Sequence, residues 1–366
     1  MRICFIADGG SIHTQRWVNY FARAKHDVHL ISNMFATGFN DSVKQHKLVG
    51  IVKPVQYAKY PTALLWIPQA WAMIRSIKPD IVDAHYITGY GYIGAMSGFH
   101  PLILTAWGSD ILITPKRNPI LKILTQASLM RADKVVCDSQ ILKRGIMQLG
   151  IGPEKISIIQ FGVDTQRFSS AQRSNGLRYK LALGNSPIVV CIRNLEPVYN
   201  VETVIKSIPL VLSQVPLTQF IIAGDGSQST YLVELANSLN VSANVYFIGQ
   251  IPHHDIPTVL ASSDIYVSTS LSDSTSLSLQ EAMACELPVV VSDLPANREW
   301  VEDGVNGYIV PMLDTQRLTD KIISLLNNPE QREMFGKLAR LKIVNEADYV
   351  VNMQKAERLY SELVKK

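Results

Sequence analysis

Apolar runs that end in small-residue loops and pass into helical periodicity recur along this 366-residue chain, and the clearest case is residues 264–307. Residues 265–267 form a short apolar run, residues 270–276 a serine-dominated loop, and Leu277, Leu279, Ala282 and Met283 then keep a rough 3.6-residue period. A second apolar run follows at 288–291. Strand, loop, helix, strand in that order predicts a parallel βαβ unit. Its loop lies at the carboxyl end of the first strand, where open α/β sheets bind ligands. Backbone N–H groups at the helix start, around Thr275, Ser276, Leu277 and Ser278, suit a phosphate there. Two carboxylates bracket the turn: Asp273 in the loop and Glu281 eight residues on.

The same rhythm runs through both halves. Strands are expected at 3–7, 28–32, 81–85, 102–106, 134–138 and 155–160, with helices at 14–23, 64–77 and 119–132 between them. After a polar stretch at 169–185, strands are expected at 187–193, 219–223, 244–249 and 264–269, with helices at 201–211, 229–239 and 256–261. Alternation of this kind predicts α/β domains with parallel sheets covered on both faces. The length suits two domains. They are expected at 1–168 and 186–348, joined by a linker at 169–185, with an amphipathic last helix at 349–366 bearing Val350, Met353, Ala356, Leu359 and Tyr360 on one face.

An acid, seven residues, Glu281, then Ala-Met-Ala-Cys and a Pro-Val-Val strand resembles the signature of family-4 retaining glycosyltransferases of the GT-B fold. The resemblance implies two Rossmann-like domains facing across a cleft, the first binding the acceptor and the second a nucleotide-sugar, with the last helix crossing back to the first domain. It implies transfer of a sugar from a nucleoside diphosphate, UDP by default, to an acceptor hydroxyl without metal or cofactor. Glu281 would hold the ribose hydroxyls. Asp273, where the family usually has Glu, would meet hydroxyls of the donor sugar; the alternative is a turn-forming Asp bonded to its own backbone. Arg193 ends a strand and would hold the diphosphate and stabilise its growing charge, the alternative being a strand-end salt bridge. The lysine expected five or six residues later is absent, since Val198 and Tyr199 stand there.

Gly9 and Gly10 after the first strand, and Gly224 after the Ile-Ile-Ala run, permit close approach of backbone to the donor. With Thr275, Ser276 and Leu277 they complete the expected donor site. His13, His85, Trp107 and Asp110 are candidates for the acceptor side, the equal alternative for either histidine being a satisfied core or loop residue. Trp107 stands where many family members have a His that contacts the transferred sugar, and Asp110 could equally be a helix N-cap. His253-His254-Asp255 lacks metal-ligand spacing and reads as a solvated turn.

Charge is uneven. Residues 1–173 carry 20 Lys+Arg against 10 Asp+Glu, a balance of +10, and the remainder 15 against 21, a balance of −6, giving the +4 total. A basic half points to anionic membrane surface, glycan or lipid-phosphate acceptors, with Lys116, Arg117 and Lys122 beside one apolar helix pattern and Trp66, Trp71 and Met73 in another, the alternative and favoured reading of these last being core positions. No zinc-finger or aromatic-basic RNA signature appears, so nucleic acid is not expected. The longest apolar stretch, 63–74, is too short to span a bilayer. Met1 and Arg2 lead straight into a strand pattern, and the four cysteines form no CxxC pair, so the expected setting is cytoplasmic, with peripheral membrane contact. Two other readings stay open: a GT-B protein that binds nucleotide-sugar with impaired transfer, and a nucleotide-sugar epimerase. A dehydrogenase is poorly supported because Gly9-Gly10 opens no G-x-G-x-x-G fingerprint.

Overall fold

The computed structural model describes residues 1–50, 65–273 and 275–365. The chain divides into two compact units, Met1–Phe161 with Val350–Lys366, and Gly162–Tyr349.

Unit 1 is built on a seven-stranded parallel sheet: β1 (Arg2–Ile6), β2 (Asp27–Ser32), β3 (Lys44–Lys47), β4 (Ile81–His85), β5 (Leu102–Thr105), β6 (Lys134–Cys137) and β7 (Ile156–Ile158), in the order β3-β2-β1-β4-β5-β6-β7. Unit 2 has six parallel strands: β8 (Ile188–Ile192), β9 (Gln219–Ala223), β10 (Val245–Gly249), β11 (Ile265–Ser268), β12 (Val289–Ser292) and β13 (Gly307–Val310), in the order β10-β9-β8-β11-β12-β13. Both faces of the central strands are buried. Val189 and Cys191 of β8 pack into one apolar cluster and Ile188 and Val190 into another, which is why these strands read as unbroken apolar runs. β3 and β13 carry no such signal. β3 is an exposed or half-buried edge strand of sequence Lys-Gln-His-Lys, and β13 is a four-residue edge strand.

Strand order reverses at β1/β4 in unit 1 and at β8/β11 in unit 2. Such switch points open a crevice at the carboxyl ends of the strands, which is where α/β sheets bind ligands. In unit 2 the two loops that flank it follow Ile192 and Ser268.

Two expectations need correction. Residues 169–185 are not a free linker. Arg178, in the helix Asn175–Lys180, is buried and donates to Ser186 O (2.8 Å) and Asp264 Oδ2 (3.0 Å), while Leu177, Leu181 and Leu183 pack on the unit 2 core. In the last helix, Tyr349–Val364, the buried residues are Asn352, Met353, Ala356 and Tyr360, and Val350 is exposed. Tyr360 carries the docking of this helix on unit 1: its hydroxyl donates to the buried Asp83 carboxylate and accepts from Trp17 Nε1 at 3.0 Å. Its ring stacks on Phe21 with centroids 4.8 Å apart.

Candidate active site

The backbone after β8 and the backbone after β9 run unusually close. Arg193 N–H donates to Ala223 O (3.1 Å), Leu195 N–H to Asp225 O (2.9 Å) and Gln228 N–H to Leu195 O (2.8 Å). Gly224 makes this possible. Its φ is +141°, and a Cβ there would lie 2.0 Å from Arg193 O, so no other residue fits without moving one of the two loops.

Arg193 is thereby aimed across the switch point at the loop that follows β11. Its Nη2 donates to Asp273 Oδ2 at 2.6 Å, and its Nη1 to Ser276 Oγ at 2.6 Å and Ser278 Oγ at 3.2 Å. Ser276 also caps the helix Leu277–Ala284, accepting from Leu279 N–H at 3.3 Å. The side chains of Arg193 and Asp273 are 8% and 15% exposed. Burial, the largest single influence, disfavours the arginine's charge, yet Asp273 together with the Tyr266 and Tyr199 hydroxyls outweighs it and the net effect raises its pKa. The buried Tyr266 hydroxyl is 2.8 Å from Ser278 Oγ, and burial pushes it up to about 12, so it stays a neutral hydrogen-bonding group.

Glu281, inside the same helix, is 4% exposed and its Oε1 lies 3.0 Å from His253 Nε2. The histidine is half-buried rather than the solvated turn residue expected: Arg167 Nη2 donates to its carbonyl at 2.8 Å and its ring lies 5.6 Å from the Phe168 ring. Its neighbour His254 is exposed and 3.5 Å from Asp255. Among the described residues no group of three or more His, Cys, Asp or Glu is placed to hold a metal ion.

Unit 2 thus gathers Arg193, Asp273 and Ser276 at the carboxyl ends of β8 and β11, with Glu281 buried further along the helix that Ser276 caps. Two sequence families match this chain: the model for glycosyl transferases group 1 covers residues 177–342, and that for glycosyl transferase 4-like proteins covers residues 2–139. The chain is a glycosyl transferase whose second half carries the group 1 domain and whose first half carries the 4-like domain. It is 24% identical over 356 residues to the Escherichia coli UDP-Gal:alpha-D-GlcNAc-diphosphoundecaprenol alpha-1,3-galactosyltransferase, covering 92% of this chain and 89% of that one. Among solved structures it resembles sucrose-phosphate synthase from Thermosynechococcus elongatus (TM-score 0.84, 19% identity, 99% of each chain). It also resembles Anabaena HepE in complex with UDP-glucose (TM-score 0.79, 21% identity, 99% of this chain and 100% of that one). The glycosyltransferase therefore has the GT-B fold, with two parallel-sheet Rossmann-like domains.

In unit 1 of the transferase the loop after β1 is tied to the end of β2 and to itself: Gly9 N–H donates to Ser32 Oγ (3.0 Å) and Gly10 N–H to Asp8 Oδ1 (2.9 Å). His13 and Trp107 are half-buried, with ring centroids 4.8 Å apart, and Trp107 stacks on Phe161 at 4.7 Å. Two acceptor-side candidates are buried. His85 is 2% exposed with Nε2 3.1 Å from Asp83 Oδ2. Asp110 is fully buried and is no N-cap; it lies within the short helix Ser109–Leu112 and accepts the backbone N–H groups of Ile87 (2.8 Å), Trp107 (3.1 Å) and Gly108 (2.9 Å). Burial pushes its carboxyl up to about 6, with those N–H groups pulling the other way. Asp110 therefore pins the loops after β4 and β5. It does so where Tyr86 takes the left-handed φ of +66°, which a bulky residue adopts only when its surroundings impose it.

From sequence alone His253 reads as part of a solvated turn, and Tyr199 only as standing where a lysine is expected. The structure lays His253 against Glu281, 28 positions away, and the Tyr199 ring on the Arg193 guanidinium across the turn that follows β8.

Proposed function

We propose that the transferase moves a hexose-type sugar from a nucleoside diphosphate, by default UDP, to an acceptor hydroxyl with retention at the anomeric carbon. The observation that carries this reading is the cluster of unit 2. A buried arginine and a capped helix start lie at one switch point, and a buried carboxylate sits within the same helix. Glu281 binds the ribose, Arg193 and the backbone around Gly224, Thr275, Ser276 and Leu277 take the diphosphate, and Asp273 meets the donor sugar. The acceptor oxygen attacks the face that the phosphate leaves, through an oxocarbenium-like state, and the departing phosphate takes the acceptor proton. The protein's task is to position and to stabilise charge, so the scheme calls for no metal and no organic cofactor. The nucleotides in the names of the E. coli relative and the Anabaena structure support UDP as the first donor to try.

For the acceptor we favour a lipid-linked saccharide, which the name of the E. coli relative also carries. Lys116, Arg117 and Lys122 of unit 1 are exposed beside Ile113, Ile120 and Ile123, which are 45%, 65% and 63% exposed, a composition suited to an anionic bilayer surface. In the second pattern Trp66 belongs to the core, whereas Trp71 is 43% exposed under the Arg75 guanidinium. No helix among the described residues is long and apolar enough to cross a membrane. Flotation with anionic liposomes is expected at low salt and lost at high salt; no salt-sensitive binding would remove the membrane part of the reading. In unit 1, His85 Nδ1 and Trp107 Nε1 are buried without a protein partner among the described residues, which leaves hydrogen-bonding capacity beside His13 for a sugar hydroxyl.

Thermal-shift screening of UDP-, GDP- and ADP-sugars tests the donor. Glu281→Ala is expected to weaken binding of the best donor by about 10- to 100-fold, the equivalent of a charge-assisted hydrogen bond. His253→Ala should cost less, and Arg193→Ala should lower turnover more than donor affinity. If Glu281→Ala and Arg193→Ala both keep wild-type transfer, the site assignment is wrong. The Arg193–Asp273 pair also favours a second reading, in which donor binds but transfer is impaired; donor stabilisation with no transfer to any acceptor would support it.

A further inference from the structure

Arg193 is clamped from two directions by one continuous loop system. Five or six residues after it, where the family resemblance expects a lysine, stand Val198 and Tyr199. Val198 is 40% exposed. Tyr199 instead lays its ring against the guanidinium, with the Arg193 Cζ 4.2 Å from the ring centroid. The backbone that carries the ring is held firmly. Tyr199 N–H donates to Glu196 O at 2.9 Å, closing a 3-10 turn over Pro197–Tyr199. That turn is sewn to the loop after β11 by Leu271 N–H to Val198 O (2.8 Å), Asn200 Nδ2 to Thr269 O (3.2 Å) and Thr269 Oγ1 to Asn200 O (2.7 Å). A few residues further on, the same loop and the helix start supply Asp273, Ser276 and Ser278 to the two terminal nitrogens of the guanidinium.

We propose that Tyr199 is a positioning residue for Arg193, fixing the plane in which the guanidinium meets the donor diphosphate. The inference rests on the reading of Arg193 as the diphosphate contact. An aromatic face carries a negative quadrupole that attracts a guanidinium lying on it and fixes its plane. A lysine ammonium in that place would repel Arg193, most strongly where water is excluded. With its plane fixed, the arginine needs less reorganisation as negative charge grows on the leaving phosphate.

The test compares Tyr199→Phe, Tyr199→Ala and Tyr199→Lys in the full chain. Affinity for UDP, GDP and ADP is read by calorimetry. Donor hydrolysis by water, which breaks the same anomeric carbon–oxygen bond and releases the nucleoside diphosphate, gives kcat and KM. The Phe variant is expected to stay within about 2-fold of wild type in both. The Ala variant should lose about 3- to 30-fold in kcat with a smaller change in KM, the range of a cation–π contact, and the Lys variant should fall below wild type. An Ala variant with wild-type kcat, or one that loses kcat and KM in equal measure, overturns the positioning role. So does a Lys variant that binds nucleotide more tightly or turns over faster than wild type, since the position would then want charge and not a ring. Should the Ala variant fail to fold, the Phe and Lys variants decide by the same outcomes. Wild-type protein that binds none of the three nucleotides overturns the functional reading and this inference with it. Wild-type binding with an inert Ala variant overturns the inference alone.

Discussion

The Arg193 guanidinium and the Asp273 carboxylate form an ion pair at 2.6 Å, linking the end of β8 to the loop after β11 across 80 sequence positions. A paired buried cation is already neutralised, so a diphosphate that approaches it competes with a carboxylate held in place. Removing one partner of such a pair alters more than the pair itself.

Asp273→Asn removes that competition while keeping the side-chain volume. UDP without sugar is expected to bind about 3- to 10-fold more tightly than to wild type, and the extra affinity of the UDP-sugar over UDP should shrink as the contact to donor hydroxyls weakens. Calorimetry with both ligands separates the two effects. Weaker UDP binding in this variant would mean that Asp273 serves to hold Arg193 in place and not to restrain its charge.

Gly224 lets two backbones meet, and a methyl group there should be felt at the site. Gly224→Ala is expected to destabilise unit 2 by about 3 kcal/mol or more, because the clash is with the Arg193 carbonyl and no flexible side chain can yield. Gly98→Ala is the control. Gly98 also has a positive φ, +68°, with nothing within 4 Å of the added carbon, so it should cost only about 1–2 kcal/mol. Denaturant melts of the two variants check the contrast, and equal losses would refute it.

At the outer side of the unit 1 sheet, His29 Nδ1 and His46 Nε2 are 2.9 Å apart and their rings stack. Burial lowers the pKa of both; for His29 the nearby Asp27 works against that, and Lys44 lowers both further. A histidine with a depressed folded value binds more protons when unfolded. Stability is therefore full above the unfolded value of about 6.5 and is lost as pH falls below it. The melting temperature of wild type should drop more steeply between pH 7 and pH 5 than that of His46→Gln. Parallel pH profiles would show that the pair does not couple to folding. Asp110, whose raised value gives the opposite trend at lower pH, is common to both proteins and cancels in the comparison.

Much of the fold could be read from residue order because its strands are buried on both faces. Apolar runs such as Ile188–Ile192 and Ile265–Ser268 announce themselves, and the helices between them keep their period. Two edge strands escaped: Lys44–Lys47 has no apolar face to bury, and Gly307–Val310 opens on a glycine that reads as part of the preceding turn. Residues 169–185 looked like a linker because their polar composition hides one buried arginine, Arg178, whose partners lie at Ser186 and Asp264.

At the candidate site the order of residues determined which side chains share a loop or a helix turn: Asp273, Ser276 and Glu281 follow one strand at fixed spacing, and Arg193 ends another. That much is local geometry, set by the period of a helix and the length of a turn. Folding decided what those groups do to one another. Parallel pairing of β8 with β11 brings Arg193 to Asp273, packing of the His253 turn brings an imidazole to Glu281, and the turn sewn to the loop after β11 brings Tyr199 to the arginine face. Charge pairing and ring stacking act over a few ångströms in space, whatever the separation along the chain, so the spacing of residues could nominate the participants but not their partners.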